Sequence, residues 1–268
     1  MPVSLTPVEV LRDTAVALPL VQRGRLGYRH GMTIQNAIMS PEFDFERYKA
    51  VAITEYQKVR PLYESFAAVV RAVLVEALNS ANLKVASVEA RAKAIDSFGV
   101  KAATASDSNP NEPKYASPLL DITDLAAARV ITFFLRDLDH VDSMIREQFH
   151  VLERTDKAAR LLAEDKLGYQ SVHYLVTLLP NRTSLPEYSR YSELKAELQL
   201  RTVLQHAWAE IEHDIQYKSL ETIPAPIRRR FTALAGLLEI ADREFQAVQL
   251  RGSTVAPRSP TFRRSRSV

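Results

Sequence analysis

The sequence predicts an α/β (α+β) fold, a mixed β-sheet flanked by helices. Two observations carry this. Short apolar or alternating runs are interleaved with runs whose apolar residues recur every three or four positions, in the order α, β, α, β, α, β, β, β, α, α. The chain has 268 residues, 46% hydrophobic and 25% charged, which is enough for one large domain with a real core.

Residues 1–43 form an N-terminal appendage of unknown role, with one short helix expected near Pro7–Val16. From Phe45 to about Leu83, the spacing of Tyr48, Tyr56, Val59, Phe66, Val70, Leu74 and Leu78 suits a helix, and Pro61 is expected to kink it or start a second one. "LKVASVEA" reads as a strand and "AIDSFGVKAA" as a helix, followed by a loop, "ATASDSNPNEPKYASP". Then come a strand ("ARVITFFL"), a helix ("LDHVDSMIREQF") and three strands ("HVLERTD", "QSVHYLVTLL", "AELQLRT"). A helix from Thr202 to Tyr217 and a last one, "PIRRRFTALAGLLEIADREFQAV", close the folded part.

Composition excludes several classes. With no cysteine there is no disulfide, thiolate metal site or cysteine nucleophile, and the expected compartment is a reducing cytoplasm. No run approaches the ~18 apolar residues of a membrane span. Glycine numbers only seven, and neither a G-x-x-x-x-G-K-[ST] loop nor a G-x-G-x-x-G turn occurs. Any nucleotide phosphates must therefore be held by basic side chains. The net charge of +3 comes from the tail at residues 251–268, where five arginines stand without an acid; the body carries 30 basic and 32 acidic groups. The tail reads as disordered and the body is not a general polyanion binder.

"ELKAELQLRTVLQHAWAEIEHDIQYK" turns a strand directly into a helix. Thr202 and Gln205 form a capping box that starts the helix. Leu204, Trp208, Ile211 and Ile215 share one face, expected to bury against the sheet, with His206, Glu210 and His213 opposite. Glu147-x-x-His150 and Glu210-x-x-His213 have di-iron spacing, but the strands between them favour a solvated or cleft-facing stripe. On the strand, Glu197, Gln199 and Arg201 share a face. Alone, that face reads equally as the solvated side of an edge strand.

A second acid changes the balance. Asp121 and Asp124 precede an apolar strand, and a carboxylate there with Glu197 could meet on a hard cation such as Mg²⁺, which takes one or two carboxylates plus substrate phosphates. Arg91, Lys93, Ser97 and Lys101 offer a basic set for those phosphates. Tyr169, at a loop tip, is a core residue or a stacking platform for a base, and His173 shares a strand face with Ser171.

Together these segments resemble the synthetase domain of the RelA/SpoT alarmone-synthetase family. The resemblance covers roughly Asn82 to Lys218. It rests on R-x-K-x-x-x-S-x-x-x-K (Arg91, Lys93, Ser97, Lys101), D-L-x-x-x-R (Asp124, Leu125, Arg129), G-Y-x-S-x-H (Gly168, Tyr169, Ser171, His173) and E-x-Q-x-R-T with WA-x-x-x-H and YK (Glu197 to Lys218). It implies a nucleotidyltransferase-like synthetase domain at residues 44–220 with helical N- and C-terminal extensions, the latter a helix at residues 221–250. It also implies transfer of the β,γ-pyrophosphate of ATP to the ribose 3′-hydroxyl of GDP or GTP, with release of AMP. Arg91 and Arg129 would sandwich adenine, and Lys93, Ser97 and Lys101 would hold phosphates. Asp124 would hold Mg²⁺, and Glu197 would be a second Mg²⁺ ligand or the base that takes the hydroxyl proton, the two being the catalytic carboxylates, supported by Gln199 and Arg201. Tyr169 and His173 would bind the acceptor, with Lys166 beside them.

The chain departs from the family pattern in two places. Ala127 stands where D-L-x-G-x-R has glycine, a small residue expected to keep the strand's close packing. The loop that commonly reads P-K-P-N is "AEDK" followed by Leu167, so that Asp165 and Leu167 replace an expected lysine and asparagine. This change at the acceptor side admits a runner-up: a toxin, of a toxin–antitoxin or phage-defence system, that pyrophosphorylates the 3′ end of tRNA or makes adenosine alarmones. An inactive nucleotide-binding relative is a third reading. His213-Asp214 is the one adjacent His-Asp pair, so alarmone hydrolysis is not expected. An antitoxin or another copy of the chain is a candidate partner for the last helix.

Overall fold

The computed structural model describes residues 43–156, 171–218 and 225–254. Helix α1 (Phe45–Ser80) opens it, capped by Asp44, whose side chain accepts from Arg47 N at 2.9 Å. Its 36 residues make a rod about 54 Å long. Pro61 neither ends this helix nor starts another. It sits on the exposed side, where the carbonyl it leaves unpaired can face water. The opposite stripe, from Tyr48 through Phe66 to Leu78, is buried.

Strand β1 (Val85–Ala92), helix α2 (Ile95–Ala102), a four-residue helix α3 (Pro118–Asp121) and strand β2 (Ala126–Thr132) follow. Next are α4 (Leu135–Gln148), β3 (Phe149–Asp156), β4 (Val172–Leu178) and a short α5 (Pro180–Thr183). Strand β5 (Ala196–Thr202), α6 (Val203–Lys218) and α7 (Ala225–Thr254) complete the described chain. The strands form one sheet in the order β1-β2-β5-β4-β3, with β2 and β5 parallel and the other pairs antiparallel. The mixed sheet flanked by helices is the fold the sequence predicts.

Helices α1 and α4 cover one face of the sheet. Ala126, Ala128 and Val130 of β2, Ala196, Leu198 and Leu200 of β5, and Tyr174, Val176 and Leu178 of β4 are buried there. Burial of this apolar surface is the main favourable term in folding. Alternation then sends the odd-numbered residues of β1, β2, β4 and β5 to the other face.

Local details differ from expectation in three places. Strand β1 extends past the run "LKVASVEA" and includes Arg91. The apolar face of α6 meets α7 rather than the sheet: Trp208 packs with Ala235, Leu204, Phe231 and Leu238, while Ile211 is exposed. On α7, Phe231 and Leu238 join this cluster, and Ile227, Leu234 and Phe245 remain exposed. Helix α7 also runs through Arg251 to Thr254, into the start of the basic tail. The appendage at 1–42 and the tail beyond 254 lie outside the described residues. Among those described, no helix is long and apolar enough to cross a membrane.

Candidate active site

The open face of the sheet carries two polar rows fixed by strand register. One runs Glu89, Arg129, Gln199, His173 and Thr155, from β1 to β3. The next runs Arg91, Ala127, Glu197, Leu175 and Glu153. Residues opposite one another in a sheet project to the same side, so five strands contribute to one floor.

Along this floor the side chains form a continuous chain of hydrogen bonds. Glu197 Oε1 lies 2.8 Å from His173 Nδ1 and accepts from Gln199 Nε2 at 3.2 Å. An ionised carboxylate only accepts, so the Nδ1 position of His173 bears hydrogen. In the neutral ring Nε2 then accepts from Ser171, whose Oγ is 2.7 Å away. At the other end Arg201 Nη2 donates to Gln199 Oε1. Arg201 is 5% exposed; burial, with Arg129 nearby, pulls its guanidinium down to about 10, so it stays charged at neutral pH. Its Nε has no hydrogen-bond partner among the described residues.

Above Ala127 and Ala128, a cleft of about 370 Å³ is lined by Glu89, Arg91, Arg129, Gln199 and Glu210. Ala127 is half-buried and lines this open space, which its small side chain leaves free. Arg129 Nη1 is steered by two acids, Glu210 at 3.1 Å and Glu89 at 3.7 Å. His206 Nδ1 lies 3.6 Å from Glu210, and burial followed by the charge of Arg129 lowers its pKa. The α6 stripe therefore serves the cleft wall, and no group of three or more metal-binding side chains occurs among the described residues.

The second acid stands at the mouth of this floor. Asp124 receives Lys93 Nζ at 2.6 Å on Oδ2 and Lys101 Nζ at 3.1 Å on Oδ1. The backbone of Lys93 is pinned twice: its N–H donates to Leu125 O at 2.9 Å and its carbonyl accepts from Tyr56 Oη at 2.8 Å. Burial pushes the Tyr56 hydroxyl up to about 12, so it remains a donor at neutral pH. Tyr56 also stacks on Phe98 at 4.3 Å, which seats α2 and with it Lys101. Ser97 is exposed on α2, one turn before Lys101. Asp121 instead caps the turn of α3, accepting from Ser117 N at 2.7 Å.

The structure thus brings Asp124, Lys93 and Lys101 into one cluster, and Arg91, Arg129, Glu197, Gln199, Arg201 and His173 onto one floor. Lys166 and Tyr169, with Asp165 and Leu167, lie outside the described residues. Sequence reasoning missed Glu89, Glu210 as a partner of Arg129, and Tyr56 as the anchor of Lys93. The alternation of Glu89 with Arg91 was the available signal for the first.

Residues 90–222 match the family described as "Region found in RelA / SpoT proteins". Just under half of the chain is thus a RelA/SpoT region. The GTP pyrophosphokinase YjbM of Bacillus subtilis is 31% identical over 129 residues, covering 47% of this chain and 57% of that protein. The GTP pyrophosphokinase YwaC of the same organism is 28% identical over 129 residues, covering 48% and 58%. The match thus spans less than two thirds of the length of either relative. The small alarmone synthetase 1 of Bacillus subtilis shares the fold, with a TM-score of 0.60 at 22% identity over 75% of this chain and 98% of that one. A second structure of that synthetase, bound to its product pppGpp, gives 0.56 at 25% identity over 75% and 100%. Residues 90–222 run from β1, one residue before Arg91, past the end of α6, and so take in the floor from Arg91 to Glu210, with Glu89 just outside the match.

Proposed function

We propose that this protein is an ATP pyrophosphotransferase that moves the β,γ-pyrophosphate of ATP to the ribose 3′-hydroxyl of GDP or GTP, giving (p)ppGpp and AMP. The observation that carries this reading is a base on the floor, Glu197, aligned by His173 and Gln199, together with an acid just before β2 that two lysines grip. The names of the relatives, both GTP pyrophosphokinases, support the choice of acceptor.

In this reading Arg91 and Arg129 flank the adenine in the cleft they line. Lys93, Lys101 and Ser97 take the phosphates; the two lysines turn from Asp124 to the incoming tetraanion, a stronger partner for point charges. Glu197 takes the 3′-hydroxyl proton. The hydroxyl oxygen bonds to the β-phosphorus, the bond from that phosphorus to the oxygen of the α-phosphate breaks, and AMP leaves with that oxygen. His173, with both ring nitrogens engaged, orients Glu197. Arg201 supplies buried positive charge at the end of the relay, and Tyr169 and Lys166 are assigned to the acceptor by resemblance alone.

The donor set fits Mg²⁺. Carboxylate oxygens are its preferred ligands, and an ion arriving on a triphosphate needs one or two of them from the protein. Asp124 and Glu197 would hold it. The register sets Glu197 level with Ala127, three residues after Asp124 in the chain. Bound Mg²⁺ would neutralise developing charge on the transferred phosphates.

The test supplies purified protein with Mg²⁺ and ATP labelled in its β,γ-phosphates, in parallel with GDP, GTP, ATP or deacylated tRNA. Label on a guanine nucleotide is the expected result. Label on tRNA or adenosine alone would replace this reading by the toxin reading, and no transfer at all would leave a nucleotide-binding protein.

A further inference from the structure

Asp242 has no part in the floor, yet its carboxylate is almost wholly buried, at 1% exposure, on α7. Thr202 Oγ1 donates to its Oδ2 at 2.6 Å. One turn further along, Gln246 Oε1 accepts from Arg136 N at 2.8 Å. These bonds fall on corresponding points of the fold. Strand β2 ends at Thr132 and α4 begins at Leu135; β5 ends at Thr202 and α6 begins at Val203. Helix starts leave backbone N–H groups without intrahelical partners and carry partial positive charge, so an amide oxygen and a carboxylate both suit them. The residue before α4, Phe134, offers no side-chain cap of its own, and Gln246 contributes an acceptor there from another helix.

The strands whose exits α7 covers are the two parallel ones, which carry Arg129, Glu197, Gln199 and Arg201. We propose that α7 is a latch across these exits and that Asp242 is a positioning residue, fixing through Thr202 the end of β5 and the start of α6. Its kinetic consequence rests on the function proposed above.

The route from latch to chemistry is short. Thr202 Oγ1 accepts from Gln205 N at 3.2 Å while Gln205 Oε1 accepts from Thr202 N at 2.9 Å, closing the capping box. Asp242 takes the remaining hydroxyl hydrogen and so fixes the rotor. Arg201 is the adjacent residue, bonded to Gln199, and Glu210, two turns into α6, holds Arg129. Covering apolar surface does not require an acid here, since Leu238 and Phe231 of the same helix do it without one. Burial pushes the Asp242 carboxyl up to about 6, which marks the site as an unfavourable one for a charge with only packing to do.

The test compares Asp242→Ala with Asp242→Asn, which keeps an oxygen acceptor for Thr202. Amide hydrogen exchange is read at residues 200–205, with residues 174–176 of β4 as internal reference, and kcat and KM for ATP are read in the transfer assay. Asp242→Ala is expected to speed exchange at 200–205 about tenfold while β4 keeps its protection, and to lower kcat about tenfold with KM for ATP within about twofold. Asp242→Asn should restore both. Unchanged exchange at 200–205, an unchanged kcat despite faster exchange, or an Asn variant as impaired as the Ala variant would each overturn the proposal. Should Asp242→Ala fail to fold, Thr202→Val against Thr202→Ser poses the same question from the donor's side. A wild-type protein inactive on every acceptor would sink the function above, while the exchange measurement would still decide the latch.

Discussion

Leu198 and Glu197 are neighbours in the chain and belong to different regions of the molecule. Leu198 is 1% exposed on the helix-covered face, among Ala128, Tyr174 and Val176. Glu197 is half-buried on the open face, in contact with His173 and Gln199. Each face holds a polar network, and the two are built differently. On the covered face, Asp142 accepts from Arg146 Nε at 2.7 Å, Arg154 Nε at 2.9 Å and the Tyr174 hydroxyl, a closed set that ties α4 to β3 and β4. On the open face the chain of bonds runs from Ser171 to Arg201 and stops at a buried Nε without a described partner. A closed network serves the fold. An open one, with charges aligned but incompletely paired, is ready for a ligand.

Substitutions can separate the two regions. The largest effect is expected at Asp124→Asn, where transfer should fall by about 10²–10³-fold while thermal unfolding moves by only a few degrees. An equal fall in rate and stability would mean that the cluster is structural. Next, Leu198→Ala should lower unfolding stability by about 2–5 kcal/mol in denaturant titrations, with activity retained by the folded fraction.

A pH series sharpens the contrast. Burial would raise the Asp142 carboxyl, but hydrogen bonds from Arg146, Tyr174 and Arg154 hold it down at about 2. Its folded pKa lies below the ordinary aspartate value of 3.8, so its contribution is present above that value and lost as pH falls towards 2. The stability gap between wild type and Asp142→Asn should therefore shrink over that window; a gap independent of pH would contradict the network. The smallest effect is expected at Gly99→Ala. An added Cβ would meet Ile53 Cδ1 at 2.5 Å and Cγ1 at 2.8 Å, so the half-buried Ile53 side chain must swing aside, while alanine favours the helix, and the net loss should be about 1 kcal/mol.

Much of this was legible in the sequence because it is local. The Thr202–Gln205 box, the alternation of β5 and the order of the elements follow from spacing alone. What spacing cannot give is a partner. The wheel of α6 identified Trp208 as inward-facing, but not that α7 would be its neighbour, and Ile211 was left exposed. Pro61 followed the solvent side of α1 rather than the rule that proline ends helices. The polar rows depend on register between strands distant in sequence, so Glu89 and Glu210 could not be assigned to Arg129 beforehand. Asp142 and Asp242 lie within helical runs where spacing alone does not separate a buried acid from a solvated one.

The central claim is that the open face performs transfer and is dispensable for folding. The most direct measurement is the rate of β,γ-label transfer from ATP by Glu197→Gln beside its thermal unfolding. The amide keeps the shape and a carbonyl acceptor for His173 but cannot take the hydroxyl proton at neutral pH. The account predicts transfer reduced by about 10³-fold or more with the unfolding midpoint within about 3 °C of wild type. Full activity in that variant would contradict it.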